Sequence, residues 1–199
     1  GGGGHQPVST SRATPPHRFD PLAPYAAFGW LPKGVPQAAS GVSSLPTELT
    51  LETGRPAVGQ FSLSVWAPGT CNLGAAQVIK ALRDHRHPQL NCMQNADSGS
   101  AETVERQGPP VRGRPAFWFL GQTLAWEYAR DSWATLSAYH RPGRLPVATM
   151  LRVASGVRYA ATASPSVKFP YQLTGIPASW RATSATCLLY TSPSPRDRQ

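Results

Sequence analysis

Cys71 and Cys92 stand 21 residues apart, and the segment between them carries Asp84-His85-Arg86-His87, so two kinds of chemistry meet in one stretch of chain. Two thiols at that separation can close a disulfide in an oxidising compartment, contributing about 3 kcal/mol by restricting the unfolded chain; in a reducing compartment they would serve as buried thiols. His85 and His87 could offer two imidazoles, and Cys92 a thiolate, to a metal ion. Arg86 puts a fixed positive charge where that cation would sit, so a solvated basic loop is the simpler reading and no metal ligand is assigned.

Catalysis by a nucleophilic Ser or Cys needs a base within reach and a third group to orient it. No Gly-x-Ser-x-Gly elbow occurs, and His140 with Asp131 or Glu127 reads as polar residues between strands. The chain has only 10 carboxylate side chains, and Glu127 and Asp131 stand too isolated in sequence to form an acid/base pair. There is no Walker-type loop or dinucleotide fingerprint, and GGGGH at residues 1–5 has no strand before it. No catalytic residue and no cofactor is therefore assigned.

Two weaker patterns remain. Trp118, Trp126 and Trp133 could form a stacking platform for a sugar, a lipid or a base, although aromatics at strand spacing more often fill a core or pair across strands. Two GRPA segments, Gly54 to Ala57 and Gly113 to Ala116, each precede an apolar run and mark the start of a strand; Arg55 and Arg114 would make an anion site only if the two turns were neighbours.

The elements that must carry these residues are short. With 199 residues and 40% hydrophobic content the chain can build one core and begin a second, while 18 Gly and 21 Pro predict many turns. The net charge of +9 comes from 19 basic residues spread along the chain with no basic arm, which argues against nucleic acid as a partner. No apolar run is long enough to span a bilayer.

Residues 1–17 read as a flexible Gly/Ser/Thr/Pro linker, and the Gly at position 1 suggests a fragment. A folded unit is expected over 18–162. Leu49 and Leu51, then Phe61, Leu63 and Val65, alternate on either side of Thr53-Gly54-Arg55-Pro56 and predict two strands around a turn. Residues 73–82 suggest a short helix, and the polar stretch 83–110 suggests a long exposed loop. Residues 116–120, 123–129 and 133–139 form three strands of an antiparallel meander. Val147, Met150, Leu151, Ala154 and Val157 then place one apolar stripe on a helix. The expected fold is α+β: an antiparallel β-meander covered on one face by an amphipathic helix.

LTGIPASW at 173–180 resembles FGWLPKGV at 28–35, each after a Phe-Pro or Phe-Asp-Pro opening, so residues 163–186 read as the start of a truncated second repeat. Residues 187–199, CLLYTSPSPRDRQ, resemble a translated sequencing adapter; as a non-native tail they are set aside together with Cys187.

The series FGWLPKGV, VRGRPAFW, LAWEYARDSWATL, LRVASGVRY and FPYQLTGIPASW, over about residues 18–181, resembles uncharacterised actinobacterial extracytoplasmic domains. These are similar to domain-of-unknown-function regions joined by a membrane helix to anti-sigma-factor-like proteins. The resemblance implies a bacterial extracytoplasmic position, tethered by a helix before Gly1 or secreted, and it favours the Cys71–Cys92 disulfide. It carries no catalytic residue. The function expected is a non-enzymatic domain for envelope sensing or interaction, its partner another envelope protein; the alternatives are a ligand-binding domain for lipid or glycan and, third, a hydrolase.

Overall fold

The computed structural model describes residues 14–21, 23–35, 41–55, 59–92, 102–119, 123–139, 145–159 and 184–186. The short strand β1 (Ala26–Ala27) is followed by β2 (Gly41–Leu45), β3 (Glu48–Arg55) and β4 (Gly59–Trp66). Helix α1 (Ala75–Arg83), β5 (Gln89–Leu90) and β6 (Glu102–Val111) come next. The meander β7 (Arg114–Phe119), β8 (Leu124–Ala129) and β9 (Ser132–Tyr139) leads into α2 (Val147–Gly156), β10 (Arg158–Tyr159) and β11 (Ser184–Thr186).

One antiparallel sheet takes nine of these strands in the order β11-β2-β3-β4-β9-β8-β7-β6-β5, and β1 pairs with β10 in a small second sheet. The β6–β7 connection is a two-residue turn with φ of 51° at Arg112 and 74° at Gly113, the left-handed pair whose twist suits a tight hairpin. In the β8–β9 turn Asp131 takes a left-handed φ of 52° and Arg130 does not, and the ladder is shifted between Glu127 and Ala129.

Period-2 alternation divides the sheet into two faces. Phe61, Leu63 and Val65 of β4, Trp118 of β7, Leu124 and Trp126 of β8, and Leu136 of β9 point to one side, where Met150, Val153 and Ala154 of α2 and Phe28 and Leu31 of the N-terminal segment close over them. On the other side Phe117, Phe119, Ala125 and Trp133 pack under Ala75 and Val78 of α1. The α+β class is as expected. The covering differs, because each helix takes a different face: α1, with Val78, Ile79 and Leu82 on one stripe, is as amphipathic as α2 and finds apolar strand residues to cover.

α2 docks at very short range. A Cβ on Gly29 would run into the carbonyl oxygen of Gly156, so the two backbones meet where no side chain fits. Beside this contact the guanidinium of Arg152 lies 4.1 Å from the ring centre of Trp30.

Residues 102–110, expected in a loop, form most of β6. The strand tolerates Pro109 and Pro110 because its pairing with β7 is irregular between Gly108 and Val111, so ladder donors are not required there. Gly108 sits under the indole of Trp118, where a Cβ would approach Nε1 to 2.8 Å. Residues 163–183, most of the suggested second repeat, lie outside the described residues, as do residues 1–13 of the expected linker 1–17 and the tail 187–199. Ser184–Thr186 pairs antiparallel with β2 as the edge strand of the main sheet.

Candidate binding face

On the α1 side of the sheet, the helix covers the half built from β7, β8 and the first residues of β9. Beyond it the same face continues across β2, β3, β4 and the rest of β9, and there its residues are polar. Strand register arranges them in rows. Ser43 opposes Thr50, Thr50 opposes Ser64, and Ser64 opposes Thr135, giving four hydroxyls in line across four strands. In the next row Glu52 opposes Ser62 and Ser62 opposes Ser137, whose Oγ lies 3.0 Å from Thr123 Oγ1. Gln60 and Tyr139 face each other in the row after that, and Leu45 and Glu48 close the opposite side.

These side chains stand on the surface for a reason that lies in the strands themselves. Each strand spends its alternate residues on the α2-side core, as Leu49 and Leu51 or Leu63 and Val65 do, which forces Thr50, Ser62 and Ser64 to the other side. Backbone N–H and C=O groups are consumed by the ladders, so recognition on this face falls to side-chain oxygens. Thr50 Oγ1 lies 3.2 Å from Ser64 Oγ and donates to Glu48 Oε1 at 3.3 Å, so the row is linked by hydrogen bonds as well as by register. Two large side chains at diagonal corners remain open to solvent, Leu45 at 57% and Tyr139 at 72% relative exposure.

No family model, curated protein or solved structure matches the chain. Its own geometry is therefore the guide to the site.

The residues singled out by sequence fall elsewhere. Cys71 and Cys92 form a disulfide, with sulfurs 2.05 Å apart, that ties the segment before α1 to the residues after β5. Asn72 and Asn91 reinforce the tie: the Asn72 backbone N–H donates to Asn91 O, and the Asn91 N–H donates to Asn72 Oδ1. With its sulfur in that bond Cys92 has no thiolate to offer a metal. His87 Nδ1 lies 3.2 Å from Val104 O, Arg86 pairs with Asp84 at 3.0 Å, and no metal-holding group of three side chains occurs among the described residues. His85, Arg86 and His87, with Leu82, Glu105, Arg106 and Gln107, line an open recess of about 260 Å³.

Trp118, Trp126 and Trp133 do not form a platform. They are 4%, 1% and 1% exposed, and Trp133 lies on the opposite face from the other two. Odd and even positions on neighbouring strands explain the split, which a list of tryptophans conceals. Trp126 Nε1 donates to Tyr159 Oη and Trp133 Nε1 to the Leu73 carbonyl; both indoles are structural.

Glu127 and Asp131, isolated in sequence, are brought together: Glu127 Oε1 accepts the Asp131 backbone N–H at 2.9 Å, and both carboxylates approach Gly74 at the start of α1. Their place there favours the helix dipole rather than acid/base work. His140 lies outside the described residues. Arg55 of β3 and Arg114 of β7 have three strands between them, so no anion site forms across the pair. Tyr128 and Tyr159 stack with ring centres 4.5 Å apart, and Tyr25 leans on both. Burial raises the pKa of all three.

Proposed function

We propose that the chain is an extracytoplasmic, non-enzymatic interaction domain of a membrane-tethered bacterial protein, which presents the polar face of β2, β3, β4 and β9 to another component of the cell envelope. The observation that carries this reading is the row Ser43, Thr50, Ser64 and Thr135, held in register over four strands. A rigid sheet with aligned donors and acceptors suits binding, because the surface is organised before any partner arrives. The Cys71–Cys92 disulfide supports an oxidising compartment.

A lipid carrier is the less favoured reading. The sheet interior is occupied by Trp118, Trp126, Phe61 and Leu136, and the recess beside α1 is rimmed by charged and imidazole side chains. A hydrolase would need its nucleophile beside an oriented base; the Glu127 carboxylate instead accepts the Asp131 backbone N–H, and the Asp131 carboxylate lies 3.8 Å from Arg130.

The reading is tested in the native bacterium by treating intact cells with a thiol-alkylating reagent before and after reduction. Cys71 and Cys92 should resist labelling until reduced. Labelling of both without reductant would place the chain in a reducing compartment and overturn the proposal.

A further inference from the structure

The rows on the open face are regular in a way that constrains what can lie on them. Neighbouring strands are spaced by about 4.8 Å, so the row from Ser43 to Thr135 runs about 14 Å, longer than a single hexose ring. The side chains along it are small, which leaves a shallow track rather than a pocket. An extended occupant fits such a track better than a small compact molecule does.

Each hydroxyl can donate one hydrogen bond and accept two. A partner can meet each of them with a donor or an acceptor, while Thr50, whose proton goes to Glu48, is left to accept, so a chain whose groups serve in either role matches the row most readily. Amide-bearing peptides fix donors and acceptors in separate groups, whereas a polyol offers both at every oxygen.

The borders add two further constraints. Leu45 and Tyr139 supply exposed apolar surface at diagonal corners, suited to the C–H faces of sugar rings. Glu48 supplies carboxylate oxygens, and the described residues of these rows include no Lys or Arg although the whole chain carries +9. A phosphate-bearing or uronic-acid chain would meet negative charge here, while a neutral sugar can donate hydroxyl hydrogens to the same carboxylate.

We infer that this face binds a neutral polysaccharide, an uncharged chain of linked hexopyranoses laid across β2, β3, β4 and β9. The inference rests on the interaction reading above and names the chemical class of the partner.

Titration of the full chain, labelled with nitrogen-15, provides the test. The probes are the hexamer of β-1,4-linked glucose, the hexamer of β-1,4-linked N-acetylglucosamine, and inorganic polyphosphate as the anionic control. At least one hexamer should give saturable amide shifts concentrated in β2, β3, β4 and β9, with polyphosphate leaving those amides unmoved. Combining Ser64→Ala with Thr135→Val should weaken binding about tenfold, the expected loss of two modest hydrogen bonds. Ser137→Ala, at an exposed position, repeats the test with a single change if the double variant unfolds.

Silence of both hexamers at millimolar concentration, or equal affinity in the substituted chains, would overturn the inference. Preferential binding of polyphosphate to this face would do the same. A photo-crosslinking residue placed at Ser62 in the native cell separates the two levels of the argument. A protein captured there, with the hexamers silent, removes the polysaccharide and leaves the interaction domain standing. Freely reactive cysteines in intact cells would remove the envelope placement even if a hexamer bound.

Discussion

Trp133 Nε1 donates a hydrogen bond of 2.9 Å to the carbonyl oxygen of Leu73, joining a strand in the middle of the sheet to the residues that launch α1. The indole is 1% exposed and also meets the ring of Phe117 at 5.8 Å between centres, so one side chain fixes both the position of the helix and the packing beneath it.

Replacing Trp133 with Phe keeps an aromatic ring but strands the Leu73 carbonyl and leaves space beside Phe117. The expected loss is about 2 to 4 kcal/mol, combining a partly buried acceptor left without its donor and a partial cavity. Urea unfolding measures it. Amide exchange should quicken in α1 before it does in α2, since only α1 depends on this bond.

The disulfide supplies a second test. Cys71 and Cys92 close a loop of 21 residues that contains the whole of α1, and replacing both with Ala should cost about 3 kcal/mol by the chain-entropy relation. Thermal unfolding with and without reductant should give the same shift for the native chain, while the double variant should be insensitive to reductant.

The contact of Gly29 with Gly156 predicts a loss from the smallest possible addition. Gly29→Ala places a methyl against a backbone carbonyl that cannot swing aside, and the cost should be about 1 to 3 kcal/mol. Calorimetry of this variant beside Ser137→Ala, on the open face, should show the first shifted to lower temperature and the second within about 0.5 kcal/mol of the parent.

Alkaline pH provides a fourth prediction. Burial raises the pKa of Tyr128 and Tyr159 above the ordinary 10.0, and of the partly buried Tyr25 in the same direction. A raised value in the folded state means that the native protein keeps protons that the unfolded chain releases, so stability is fully present below about pH 10 and falls as pH rises towards the folded values. Denaturation midpoints should be flat from pH 8 to about pH 9.5 and decline above it. Tyrosinate absorbance from the stacked pair should appear only with unfolding.

Much of the architecture was legible because its signals are local. The meander of β7, β8 and β9 showed in the alternation of large and small residues, and the stripe Val147, Met150, Leu151 and Ala154 marked α2, although Val157, expected on the same helix, is extended just beyond its end. β6 was hidden because its polar, proline-bearing sequence resembles a loop; only Val104 and Val111 are buried, and the irregular pairing that admits its prolines depends on β7. β2 is silent in the sequence for a related reason: GVSSL is too short and polar to declare itself without β3 beside it.

The candidate face was visible only in fragments. Thr50, Ser62, Ser64, Thr135 and Ser137 each alternate with core residues, so their outward direction follows from sequence. That Ser43, Thr50, Ser64 and Thr135 fall into one row is a property of pairing across strands distant in the chain, which no single segment contains. The tryptophans illustrate the converse: a conspicuous residue type invites a shared role, yet strand parity sends Trp133 to one side and Trp126 to the other.

The alternation of Phe61, Leu63 and Val65 with Ser62 and Ser64 in β4 has a practical outcome. The outer set can be exchanged residue by residue while the inner set keeps its shape, so the domain is a ready scaffold on which a laboratory can write new surface chemistry without redesigning the fold.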